Sequence, residues 1–264
     1  LAKPILVRSI TTKTIDEYIA ARQPEKRTKH AAQAVSPATI NRELRELRAV
    51  IGKAVRWGYL PRMPEIGFLR EAKRLPPYVT PEHFTALYGA CATFQEGVDA
   101  DWWRGLLVMA YLTGWRIGSL LALRWADVDL DAGIALSRAD DNKGGRDQRI
   151  DLHTLIVSHL RRLVGFRPCV FTIETGRRQL YSEWHALQDA AGVKPDGKAR
   201  YGFHDLRRAF ATMNVDRLSP ETLQRLMQHK DYQTTQRYIG LARQLKPAAH
   251  DVFVPDVPEM LDVG

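Results

Sequence analysis

At 264 residues the chain is long enough for two domains and for a core that needs neither disulfides nor a structural metal. Hydrophobic residues at 45% and charged residues at 26% exclude wholesale disorder. The 39 Lys+Arg against 30 Asp+Glu give a net charge of +9, which points to a polyanionic partner, either nucleic acid or an anionic membrane surface.

The longest purely apolar run, Leu106–Leu112, is too short for a membrane-spanning helix. The opening LAKPILVRSI lacks the apolar stretch and small-residue cleavage site of a secretory signal. Cys91 and Cys169 are the only cysteines, too few for a disulfide framework or a cysteine-based zinc site, so the cytoplasm is the expected compartment. The chain opens on Leu1 rather than Met, which leaves room for residues upstream.

The charge is unevenly spread. Residues 1–75 carry 16 Lys+Arg and 7 Asp+Glu, the whole excess, whereas the remainder holds 23 of each. The shift coincides with Lys73–Tyr78 (KRLPPY), whose adjacent prolines favour an extended linker. Two domains are therefore predicted, a small basic one over 1–75 and a charge-balanced one over 76–264.

In the first, a helix is expected around Thr14–Arg22. Ser36-Pro37 then supplies an N-cap with proline at the first helical position. Ile40, Leu44, Leu47, Ile51, Ala54 and Val55 recur at helical spacing up to Gly58. The opposite face carries Arg42, Arg45, Arg48, Lys53 and Arg56, interleaved with Glu43 and Glu46. Such a face is either a solvated, salt-bridged surface or a phosphate-binding one. The confinement of the excess charge to this domain favours phosphate, since each neutralised phosphate releases counterions.

In the second domain, Thr80-Pro81-Glu82 opens a helix. Helices follow at Trp102–Leu112 and at Arg116–Leu123 after Gly114. Ile134–Leu136 and Gln148–Leu152, separated by a polar turn at Asn142–Gly145, read as a short antiparallel sheet. Further helices are expected at Leu155–Leu163, at Phe203–Met213, from Ser219-Pro220-Glu221 to about Gln228, and at Thr234–Leu241. The fold class is mainly α with a small antiparallel β-sheet.

No phosphate-cradling lysine loop, GxSxG elbow or paired-histidine metal motif is present, so neither metal nor nucleotide cofactor is expected. His153 and His159 are spaced wrongly for a ligand pair and are expected at the surface. Arg116 lies in an apolar run (LTGWRIGSLLALRW), and a buried arginine needs an anion, most commonly a carboxylate of the protein itself. His204 and Arg207 share a helix face at i, i+3, a common surface arrangement. His229 falls just past a helix end, where an imidazole often caps, and Tyr238 follows nine residues on; each is unremarkable alone.

Together, LTGWRIGSLLALRW (112–125), FHDLRRAFAT (203–212) and RLMQHKDYQTTQRYIGL (225–241) resemble the tyrosine recombinases, also called the phage-integrase family. The basic helix at 36–60 is similar to the family's core-DNA-binding domain, which would make 76–264 a catalytic domain with a C-terminal tail. The resemblance implies that Arg116 and Arg207 clamp the scissile phosphate and that His204 acts as base or hydrogen-bond donor. It further implies that Lys143 is the general acid, that His229 supports the phosphate and that Tyr238 is the nucleophile. Lys143 is the only lysine between Lys73 and Lys194 and directly precedes the Gly-Gly turn. Two guanidinium forks could stabilise the charge that a metal ion otherwise would, and a phosphotyrosyl bond conserves the energy of the broken linkage.

The sequence departs from the family pattern at three positions. Ser119 stands where an acid is usual, Arg208 where a His often follows, and Gln228 where a Gly precedes the later His. The implied partner is double-stranded DNA, not a membrane, gripped by a homo-oligomer with a dimer on each site and a tetrameric synapse. The apolar residues of Asp251–Val254 and Pro258–Asp262 would dock on a neighbouring protomer or pack in cis. A type IB topoisomerase and a non-catalytic DNA-binding protein of the same fold are the alternatives.

Overall fold

The computed structural model describes residues 6–25, 34–71, 76–94, 99–142, 144–173, 176–196 and 199–245, with backbone only at 237, 241, 242, 244 and 245. The chain divides into two units, Leu1–Arg74 and Leu75–Gly264.

Unit 1 is built on two helices, α1 (Thr12–Arg22) and α2 (Pro37–Arg56). The Thr11 hydroxyl accepts from the Thr14 amide and Ser36 from Thr39, so each helix starts at a side-chain cap that satisfies an otherwise orphaned N–H. Gly58, at φ +79°, follows the end of α2. Ile40, Leu44, Ile51 and Ala54 of α2 bury against Ile15 and Ile19 of α1, with Val35 and Leu60 closing the cluster. Two polar ties supplement this small core. Arg22 pairs with Glu43 at 2.9 Å, and Glu43 also accepts from the Tyr18 hydroxyl at 2.7 Å. Buried Asn41 donates to the Leu69 carbonyl and accepts from its amide, both at 2.8 Å, much as a neighbouring strand would. Arg42, Arg45, Arg48, Lys53 and Arg56 are all exposed. Arg45 pairs with Glu71 at 3.1 Å, whereas Arg48, Lys53 and Arg56 form no ion pair among the described residues.

Unit 2 surrounds α4 (Ala100–Thr113), which is capped by Asp99 and buries Trp103, Leu106, Leu107, Val108, Met109 and Ala110. A helix apolar on nearly all sides must be covered on nearly all sides. It packs chiefly against α6 (Thr154–Leu163) and α8 (Phe203–Asn214). α3 (Pro81–Ala90) contacts α7 (Arg177–Ala190), and α5 (Ile117–Ala122) follows α4 directly. Strands β1 (Val128–Asp129), β2 (Ile134–Ser137) and β3 (Gln148–Asp151) form an antiparallel sheet in that order, with Ala135 opposite Ile150, both buried. Trp103, Trp184 and Phe203 stack nearly parallel at the centre, with Trp184 and Phe203 ring centroids 5.1 Å apart. α9 (Pro220–Leu226) and α10 (Tyr232–Leu245) complete the unit, both packed on one another and α10 on α8. Among the described residues no helix is long and apolar enough to cross a membrane.

Three features differ from the sequence expectation. α7 was not anticipated, although Leu180, Trp184 and Leu187 are buried at helical spacing. α10 runs from 232 to 245 rather than over 234–241, because its polar flanking residues continue a helix that packing on α8 sustains. His159 is not at the surface: it is 4% exposed, on the same face as Ile156 and Leu160, with Nε2 3.1 Å from the Tyr88 hydroxyl.

Gly114 terminates α4 in the left-handed region at φ +63°, and a Cβ there would lie 2.6 Å from Cδ1 of Phe210. Gly114→Ala combines backbone strain with a clash in a filled core. It is expected to destabilise unit 2 by about 2–3 kcal/mol, read as a melting temperature lower by roughly 5 °C or more.

Candidate active site

Four chain segments meet at one end of α8. The turn after α4 brings Arg116 to the N-cap of α5. α8 begins at Phe203 with Asp205 accepting from the Gly202 amide at 2.6 Å, which fixes the first turn and so the faces of His204 and Arg207. Arg208 pairs with the buried Asp205 and points away from Arg207's partners, with Nη1 3.5 Å from the Pro77 carbonyl.

Arg207 is 1% exposed. Its Nη1 donates to the Gly114 carbonyl at 2.6 Å and its Nη2 to the Met227 carbonyl, while Nε has no protein partner. Arg116 is half-buried, and its Nη1 donates to the Gln228 carbonyl at 3.2 Å. The expectation that a carboxylate would neutralise Arg116 fails: among the described residues neither arginine pairs with an acid. Carbonyl dipoles hold both side chains without cancelling their charge.

The Met227 and Gln228 carbonyls come from the end of α9, and the Gly114 carbonyl from the end of α4. Gln228 N–H donates to Arg225 O and His229 N–H to Gln224 O, the paired closure of a helix that ends in a left-handed residue. That residue is Gln228, at φ +53° the only non-glycine with positive φ among the described residues. A side chain there costs on the order of 1–2 kcal/mol. The next residue, His229, is buried, and Nδ1 lies 2.9 Å from the Thr235 hydroxyl of α10, which fixes the ring. Thr235 and Tyr238 are three apart on α10 and share a face. The Tyr238 hydroxyl is 2.9 Å from His204 Nε2, and its ring stacks on His229 with centroids 5.2 Å apart.

The cations set the electrostatics. Desolvation, then the charges of Arg207, Arg208 and Arg116, pull the His204 pKa down to about 4, although the residue as a whole is exposed. Desolvation, then Arg207, Arg116 and His204, lowers His229 to about 3. Both imidazoles are therefore neutral at pH 7. Burial also depresses both arginines, Arg207 to about 10, which leaves it charged at neutral pH. Tyr238 lies close enough to both arginines that its ionised form opposes that shift. A cavity of about 330 Å³ opens beside them, lined by Arg116, Ser119, Asp141, Tyr181, His204 and Arg207. A recess lined by two guanidinium groups can accept an oxyanion, and the Tyr238 phenol reaches its lining through His204.

Of the six residues marked in the sequence, the structure brings Arg116, His204, Arg207, His229 and Tyr238 together. Lys143 lies outside the described residues. Its neighbours are well fixed: Asn142 donates to the Arg138 carbonyl at 2.6 Å and to Arg146 at 2.9 Å, and accepts from the Gly144 amide at 2.9 Å. The Gly144 backbone passes close to the Gln228 carbonyl, so the β2–β3 connection reaches the site. Asn142, Thr235 and the carbonyls of Gly114 and Met227 were not singled out in the sequence. Backbone acceptors leave no mark there, and Thr235 and Asn142 look like ordinary polar residues. Among the described residues, no group of three His, Cys, Asp or Glu side chains is placed to hold a metal ion.

The comparisons with known proteins bear on this site. The phage integrase family model matches residues 77–244, which include every residue of the site. Tyrosine recombinase XerD of Ralstonia nicotianae is 29% identical over 161 residues, covering 56% of this chain and 51% of that protein. Tyrosine recombinase XerC of Xanthomonas campestris is 24% identical over 242 residues, covering 84% and 70%. The chain thus spans about half the length of the first of these relatives. Among solved structures, the Tn1549 transposon integrase in complex with a circular intermediate DNA superposes with a TM-score of 0.68 at 17% identity, covering 88% of this chain and 81% of that one. A lambda integrase dimer bound to a COC′ core site superposes at 0.65 and 18% identity, covering 96% and 69%; at such identities these two show the fold alone. With the family model matched over more than half of its length, the chain belongs to the phage integrase family.

Proposed function

We propose that the protein is a site-specific DNA recombinase that cuts and rejoins strands through a 3′-phosphotyrosyl intermediate. The observation that carries this reading is the Tyr238 hydroxyl at 2.9 Å from a neutral His204, beside two arginines that pair with no acid among the described residues.

In the proposed reaction a phosphodiester enters the recess between Arg116 and Arg207. Tyr238 passes its proton to His204 Nε2, and the phenolate oxygen bonds to phosphorus. The bond to the 5′ oxygen breaks, and that oxygen takes a proton from Lys143. A phenol of ordinary pKa near 10 needs both a base and nearby positive charge to do this at neutral pH. Each guanidinium is worth roughly 10²–10³ in rate if it acts like an oxyanion-hole donor. His229 supports the phosphate and, by stacking, holds the Tyr238 ring. Reversal with a different 5′ hydroxyl exchanges strands without an external energy source.

Arg42, Arg45, Arg48, Lys53 and Arg56 would grip the phosphate backbone of duplex DNA on an exposed helix face. The acting species would be a dimer on each site and a tetramer in the synapse, in the cytoplasm, as the relationship to integrases suggests.

Three measurements test this reading. A pool of nicked duplexes randomised across the target region traps covalent protein–DNA adducts, which a denaturing gel separates and sequencing identifies. Wild type is expected to form adducts at a restricted set of sequences, Arg116→Ala to form them at least about 100-fold more slowly, and Tyr238→Phe to form none. An adduct with Tyr238→Phe refutes the nucleophile assignment, and relaxation of supercoiled plasmid without exchange between two sites favours a topoisomerase. On an intact duplex, Arg48→Ala and Lys53→Ala should weaken binding for all sequences alike and each reduce the slope of log K against log salt by about 0.9.

The histidines give a pH signature. The unfolded chain takes up protons near pH 6.5 that the fold refuses until about 4 at His204 and about 3 at His229. More protons are then bound by the unfolded state, so unit 2 loses stability as pH falls from 6.5 toward 4. In the free protein, NMR should show neither imidazole titrating between pH 8 and 5.5, and Arg116→Gln should move both midpoints upward.

A further inference from the structure

Two of the three positions at which the sequence departs from the family pattern touch each other. Ser119 Oγ lies 3.4 Å from Gln228 Oε1, across 109 residues of chain, and equally 3.4 Å from the Asp141 carbonyl. Both side chains are buried, Gln228 at 7% exposure. Gln228 is unfavourable on two local grounds: its backbone is left-handed, where glycine is unstrained, and its Nε2 is buried with no partner among the described residues. Strain and an orphaned donor at one residue inside a reactive site point to a functional reason for keeping it.

The geometry supplies one. The Gln228 carbonyl holds Arg116, the preceding Met227 carbonyl holds Arg207, and the following residue is His229. A glycine could adopt the same φ but would leave this turn free to move. The Gln228 side chain instead reaches Ser119, one turn into the helix that Arg116 caps, whose amide already donates to the Arg116 carbonyl at 2.9 Å. The turn and the start of α5 are thereby joined at two points, the Arg116 guanidinium and the Ser119 side chain. At 3.4 Å the side-chain contact is long for a hydroxyl bond and limits the turn by packing, while the carbonyl, at 3.2 Å, aims the arginine.

We propose that Gln228, braced by Ser119, is a positioning residue that sets the Arg116 guanidinium for the phosphate. The assignment rests on the cleavage reading above. It is tested by single-turnover adduct formation on a duplex recovered from the randomised pool, with DNA affinity measured separately by fluorescence anisotropy. Ser119→Ala and Gln228→Gly are each expected to slow adduct formation about five- to tenfold, and the double variant to be no slower than the slower single. DNA affinity should stay within about twofold. Gln228→Gly should melt no lower than wild type, since glycine relieves the backbone strain. In an Arg116→Lys background, Gln228→Gly should cause no further loss.

Wild-type rates in both single variants, losses that multiply in the double variant, a full further loss on Arg116→Lys, or a rate loss accompanied by a lower melting temperature would each overturn the assignment. Tyr238→Phe separates the two levels. If the wild type forms no adduct, or Tyr238→Phe does, the cleavage reading fails and this assignment with it. If those controls behave and Gln228→Gly cleaves normally, only the positioning role fails.

Discussion

A buried guanidinium with no carboxylate paired to it among the described residues is the constraint around which unit 2 is organised. Arg207 is enclosed to 1% exposure, and the charge is solvated by carbonyl oxygens of Gly114 and Met227 rather than neutralised. A carboxylate in either place would have made a more comfortable fold and a dead recess, because the charge would already be satisfied. The solution chosen fixes the ends of two helices. α4 must stop at Gly114 so that its terminal carbonyl is free, and α9 must turn at Met227 and Gln228. Helix C-termini are suited to this, since their last carbonyls lack intrahelical partners and carry the negative end of the helix dipole.

The histidines follow from the same constraint. Packed among uncancelled cations, His204 and His229 stay neutral far below the usual range, and a neutral ring can take the Tyr238 proton. A bound phosphate would bring the missing negative charge and favour protonation of the same rings. Free and occupied states thus prefer different protonation, and an imidazole that is a poor holder of a proton in the empty site becomes a better one as charge builds beside it.

Much of this was legible in the sequence. Periodicity and caps located most helices, because Ser36-Pro37, Thr80-Pro81 and Ser219-Pro220 are local signals with local causes, and Asn142–Gly145 marked the turn of the sheet. Arg116, His204, Arg207, His229 and Tyr238 were recognisable only as an ordered set; singly, each fitted a duller role. What the sequence did not disclose was how charge is balanced. It suggested a carboxylate for Arg116, whereas the partner is the Gln228 backbone carbonyl, a group any residue carries. It treated Ser119 and Gln228 as separate departures, whereas they meet across 109 residues. α7 was overlooked because it lacks a side-chain cap and begins after Gly176, and His159 because a polar residue on an apolar face reads as exposed until its hydroxyl partner is known.

The order of the parts along the chain has a consequence for synthesis. Arg116, His204, Arg207 and His229 all precede Tyr238, which α10 delivers last of the five. A nascent chain extended through α9 carries the arginines and the carbonyls that hold them, yet not the Tyr238 phenol. Such an intermediate can occupy a phosphate and do nothing to it. On the proposed reading, the capacity to break DNA would arise only once α10 has added Tyr238 to the arginine recess.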